Sequence, residues 1–184
     1  MADPADIQRL IGDLAREGTV VSVDHEAGTC RVRFADDLTT GDIPWLCARA
    51  GATRTWSPPS AGEQVAVLCP EGDTARGILI GSLSSDANPH AANDTSTLSE
   101  FSDGARIGYD PAVHVLTAIL PAGAIARVEA SGGIVLKGPV EIDGTLTVRD
   151  TIDADGEITG KGVKLSMHKH GLVKAGTDQS GVPA

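Results

Sequence analysis

His168 and His170 stand one residue apart near the C-terminus, in Met167-His168-Lys169-His170. Alternate side chains of a strand share a face, so the two imidazoles are presented together. Two nitrogens do not make a transition-metal site, and too few other ligands lie nearby to complete one. Three copies meeting on a threefold axis would supply six nitrogens, enough for an octahedral ion. Neutral imidazole suits Fe, Zn, Ni or Cu; six ligands argue against tetrahedral zinc without choosing among the others. With no carboxylate or open position evident, the metal's role would be structural, pinning three C-termini where hydrogen bonding runs out. Imidazole binds only when neutral, so acidification well below its ordinary pKa of ~6.5 is expected to weaken the site. On an arbitrary exposed strand the same motif reads as a solvated pair or an adventitious site. A metalloenzyme would need a third protein ligand and a vacant position.

The segment that must deliver these histidines is a stalk. No Phe, Trp or Tyr follows Tyr109, and Gly, Thr, Val, Ile and Asp dominate. Strand candidates run over 104–109, 113–119, 124–130, 133–138, 140–148, 151–153 and 156–160, each bounded by Gly, Pro or Asp. Val140, Ile142, Leu146, Val148, Ile152 and Ile158 are expected to form one buried stripe against an acidic exterior. Such a stretch can be a sandwich, a single-chain β-helix or an intertwined trimeric β-prism. Too few coils are available for a free-standing solenoid, so the prism is preferred, and winding three chains together also pairs their strand edges. The shaft is placed at 103–163 and the apex at 164–184. Between Glu141 and Glu157 six acids face one base, Arg149, whereas Lys161, Lys164, Lys169 and Lys174 flank the tip.

Upstream, Asp3-Pro4 followed by Ile7, Leu10, Ile11 and Leu14 predicts an amphipathic helix over 1–17, ended by Gly18. From Thr19 the period changes to two. Val21 and Val23, a turn at 25–28, then Cys30, Val32 and Phe34 predict a hairpin. Further strands are expected at 43–50, 64–69 and 76–83, so 18–83 reads as a small closed barrel of OB type. Residues 84–102, polar and without a period, read as a linker. The fold class is therefore all-β: helix and OB barrel, then a trimeric spike.

Composition removes several functions. A formal net charge of −10 and no basic run interleaved with aromatics exclude nucleic acid as a partner. Cys30, Cys47 and Cys69 lack CxxC spacing and are expected as reduced structural thiols. The N-terminus has no signal-peptide pattern and no stretch approaches the ~18 apolar residues of a membrane span, so synthesis in the cytoplasm is expected. His25, His90 and His114 have no mutual spacing. The oxygen-rich run Asp153 to Glu157 lacks EF-hand or nonapeptide spacing and reads as a solvated face. No phosphate loop or nucleophile signature is present.

Taken together, the helix, the barrel with Pro59-x-x-Gly62-Glu63-x-Val65 and Gly77-x-x-x-Gly81-Ser82, the aromatic-free β-stalk and the terminal His168-x-His170 before Gly181-Val182-Pro183 resemble the baseplate assembly protein V family. These are central tail spikes of contractile-tailed phages of the Mu-like kind and of R-type pyocins. The resemblance implies a homotrimer with an OB collar, a triple-stranded β-helical shaft and a pointed apex, where His168 and His170 of three chains hold one iron. It implies other baseplate hub and tail proteins as partners, transient contact with the host outer membrane as it is pierced, a place at the virion tail tip and assembly in the host bacterial cytoplasm. Larger relatives carry an inserted lysozyme domain; a linker of about twenty residues cannot hold one, so no enzymatic activity is expected. The other reading is a trimeric carbohydrate-binding or degrading tailspike, which the lack of aromatic platforms disfavours.

Overall fold

A computed structural model describes residues 11–35 and 38–167. The chain divides into two units, Met1–Arg127 and Val128–Ala184. The first contains a five-stranded antiparallel sheet built from β1 (Ala15–Asp24), β2 (Thr29–Arg33), β3 (Ile43–Pro44), β4 (Gln64–Leu68) and β5 (Ile78–Leu83), in the order β3-β2-β1-β4-β5. Its long first strand serves two neighbours: Ala15 to Thr19 pair with β4 and Thr19 to Asp24 with β2. A register shift between Val20 and Ser22 bends β1 where the two ladders meet. The sheet curls until its edges touch, with Trp45 bridging Leu79 and the Leu46 N–H donating to the Leu79 carbonyl at 2.9 Å. This is the geometry of the OB barrel read from the sequence.

Period-two alternation places the core. Val20, Cys30, Val32, Phe34, Ile43, Trp45, Val65, Val67, Cys69 and Leu79 pack together inside the curl. All three cysteines are free; Cys30 and Cys69 are buried, and burial pushes both thiols above their ordinary pKa. That removes thiolate reactivity, as structural cysteines require. The predicted turn at 25–28 forms around Asp24, whose Oδ1 accepts from the Glu26 and Ala27 amides at 3.0 and 2.9 Å, and Gly28 supplies a φ of 67°. The motif Pro59-x-x-Gly62-Glu63 also has a local cause. Gly62 turns with φ 90°, and Glu63 accepts from the Ser60 amide at 2.7 Å and from the Ser82 hydroxyl, tying that loop to β5.

Three boundaries differ from expectation. The helix predicted over 1–17 does not reach Glu17: among the described residues only Ile11 and Gly12 are helical, and Ala15 to Glu17 are claimed by the β4 ladder. Gly18 is no helix stop; it lies within β1, where a Cβ would sit 2.5 Å from Val32 Cγ1 and 2.8 Å from the Arg33 carbonyl oxygen. The strand expected over 43–50 is reduced to Ile43–Pro44, with isolated bridges at Trp45 and Ala50. Finally, the expected linker 84–102 contains β6 (Thr97–Glu100), which joins β7 (Arg106–Asp110) and β8 (Val115–Ile119) in an antiparallel meander, order β6-β7-β8. Its polar composition hid a strand whose partner lies beyond the turn.

The second unit differs in kind. Of the strands expected between 124 and 160, only β9 (Thr159–Gly160) has a ladder, formed with β10 (Val163–Lys164). No described residue of the unit is buried.

Candidate functional site

His168 and His170 lie outside the described residues, as does most of the apex placed at 164–184. The structure gives the segment that delivers them. β9 and β10 pair Gly160 with Val163 and Thr159 with Lys164, leaving Lys161-Gly162 as a two-residue loop with φ of 49° and 80°. Positive φ at both positions is the turn whose twist matches a right-handed hairpin. A short 3-10 turn, Leu165–Met167, follows directly. Its start is pinned twice: the Leu165 N–H donates to the Ile158 carbonyl at 2.9 Å, and Glu157 accepts from Ser166. The serine amide donates to Oε1 at 3.1 Å and the hydroxyl to Oε2. Hydrogen bonds from Ser166 hold the Glu157 carboxyl below its ordinary pKa.

Glu157 was expected only as part of an acidic outer face. Its partner lies nine positions on, across a turn, and the Lys161-Gly162 pair between two Thr/Val-containing steps was the local signal for that hairpin.

The stripe expected to be buried is exposed in the single chain. Val140, Ile142, Leu146 and Ile152 range from 54% to 64% exposed, and Val148 and Ile158 are also open. Their periodicity is real, but no described element of the unit faces them. A helix or sheet face must be covered by another element to count as core, so the described residues of this unit form none.

The remaining histidines are dispersed. His25 packs edge-on to Trp56 with ring centroids 6.4 Å apart, His90 Nδ1 lies 2.9 Å from the Ser84 hydroxyl, and His114 occupies the β7–β8 turn with φ 59°. Among the described residues no three His, Cys, Asp or Glu side chains converge to hold a metal, and no helix is long and apolar enough to cross a membrane. The two imidazoles expected as metal donors, His168 and His170, follow Met167.

Comparison with known proteins covers both the barrel and the chain as a whole. A family profile described as the type VI secretion system/phage-baseplate injector OB domain matches residues 16–83, which are β1 to β5 of the curled sheet. Across nearly its whole length, the chain is 31% identical to the spike protein of Escherichia phage P2, the alignment covering 98% of each.

Proposed function

The chain belongs to the family of phage spike proteins, and from that premise we propose that it is the central spike of a contractile-tail baseplate, a mechanical part and not an enzyme. The observation that carries this is the 31% identity to that spike protein, with 98% of each chain covered. The OB barrel forms a collar that docks on other baseplate hub and tail proteins. Beyond it three copies wind into an intertwined β-prism, in which the exposed apolar residues of 128–167 become one shared core. Support comes from the second unit, whose described residues bury nothing alone. A shaft sharing its core among three chains unfolds only when all three separate, which gives the kinetic stability a piercing rod requires.

At the tip, His168 and His170 from each copy hold one iron on the threefold axis. The β9–β10 hairpin and the Glu157–Ser166 pair set the chain's direction up to Ser166, two residues before the first imidazole. The ion ties the three C-termini together when bound. Contraction of the tail then drives a narrow, stiffened point through the host outer membrane.

Sedimentation mass combined with elemental analysis tests this reading. A trimer that survives SDS without boiling and carries one iron per three chains is expected. A monomer at micromolar concentration, or one metal per chain, refutes it.

A further inference from the structure

Residues 84–96 join β5 of the barrel to β6 of the meander, and no described ladder crosses them. A free chain of this length has a root-mean-square span of about 20 Å, which would let the two sheets swing independently. The segment is not free. Its first part closes on itself: the Ser85 N–H donates to the Asn88 carbonyl at 3.0 Å, and the Asn88 N–H donates to the Ser85 carbonyl at 3.1 Å and to its hydroxyl at 3.2 Å. Pro89 narrows the backbone freedom of Asn88, and His90 Nδ1 lies 2.9 Å from the Ser84 hydroxyl, across that turn.

The two ends are fastened to different sheets. Asn88 Nδ2 donates to the Gly62 carbonyl at 3.3 Å. Gly62 is itself held by the barrel, since its N–H donates to the Val20 carbonyl at 2.8 Å, the Val20 N–H returns to the Glu63 carbonyl at 2.9 Å, and the Glu63 carboxylate takes the Ser60 amide and the Ser82 hydroxyl. At the far end the Ala91 carbonyl accepts from Arg106 Nη2 at 3.2 Å, while Arg106 Nε pairs with Glu100 at 3.2 Å, so one guanidinium spans the segment, β6 and β7. Only Pro89 and His90 stand between the residue fixed to the barrel and the residue fixed to the meander. Even fully extended, that stretch reaches no more than about 10 Å.

We propose that 84–96 is a strap that locks the meander to the barrel, with the Gly62 carbonyl as its anchor and Asn88 and Arg106 as positioning residues. Its use rests on the spike reading: with no hinge at this junction, thrust on the barrel passes into the β-segment instead of bending the chain between them. The lock itself is made within one chain and does not depend on the number of copies. Every bond in it is polar and close to water, which competes for each, so the strap opens more readily than the barrel ladders.

The test uses the full-length chain. Residual dipolar couplings of the β1–β5 and β6–β8 amides are expected to fit one alignment tensor, and the Ser85 and Asn88 amides to exchange about 10-fold more slowly than those of an unstructured chain. Asn88→Asp keeps the shape of the side chain and removes the donor; Arg106→Gln removes the fork between Ala91 and Glu100. The double variant is expected to exchange about 10-fold faster over 84–92 and to require two tensors, with the β1–β5 ladders unchanged. Should Arg106→Gln disturb the meander, Asn88→Asp alone is expected to speed exchange at residues 85 and 88 by the same factor. Two tensors in the unsubstituted chain, or one in a folded double variant, overturns the proposal. Faster exchange shared by the barrel ladders overturns it as well, by assigning Asn88 to barrel stability. These outcomes leave the spike reading intact, whereas a monomeric unsubstituted chain rejects that reading and leaves the strap standing.

Discussion

Glu157 accepts two hydrogen bonds from Ser166 across the Lys161-Gly162 turn, one from the backbone N–H and one from the hydroxyl. The folded carboxyl is held below its ordinary pKa of about 4.3, so its contribution is fully present above that value and is lost as pH falls through the depressed folded pKa. The Ser166 amide resonance is expected to stay constant from about pH 7 to 5 and to move only in stronger acid. Glu157→Gln should abolish that acid step. A transition centred near neutral pH would assign the tie to another group.

Replacing both His168 and His170 by Ala is expected to remove the metal and to speed amide exchange across the last twenty residues or so, while the sedimentation mass stays that of a trimer. Dissociation of the variant would instead locate the source of association at the apex.

Gly18 and Gly81 make a matched pair within the barrel. Gly18→Ala drives a Cβ into Val32 and the Arg33 carbonyl, and overpacking of this kind costs about 1–3 kcal/mol. At Gly81 nothing lies within 4 Å, so Gly81→Ala is expected to be neutral or stabilising by about 0.5–1 kcal/mol through reduced backbone entropy of the unfolded chain. Urea unfolding of the two variants, followed by circular dichroism, reads the difference in sign.

Trp45 is 92% buried by its 8% exposure, yet its indole N–H has no acceptor among the described residues. Trp45→Ala should cost about 3–5 kcal/mol in lost packing. Trp45→Phe keeps much of the ring and removes a donor whose unpaired burial costs about 1–3 kcal/mol, so its loss is expected to be less than half that of alanine. Equal losses in chemical denaturation would mean that the N–H finds a partner in the assembled particle.

Much of the barrel was legible because its signals are local. The hairpin around Asp24 to Gly28 follows from period-two alternation and a turn residue that tolerates positive φ. Glu63 and Gly62 were legible as a motif, but their purpose, tying Ser60 to Ser82, needed the two loops side by side. β6 was hidden inside a polar stretch because a strand of four residues is defined by its partner more than by its composition. The site was least legible: the sequence marked two imidazoles, while the Glu157–Ser166 pair that precedes them spans a turn no single-residue pattern reports.

By itself the sequence determined which residues alternate, where the chain turns, that no Phe, Trp or Tyr follows Tyr109, and that His168 and His170 stand one residue apart. Tertiary structure alone decided that Gly18 lies in a strand, that Trp45 and Leu79 close the sheet, and that the apolar stripe from Val140 to Ile158 is left uncovered by the described residues. The reason is physical: periodicity states that a face is apolar, but only the packing partner, brought from far along the chain or from another copy, determines whether that face becomes core.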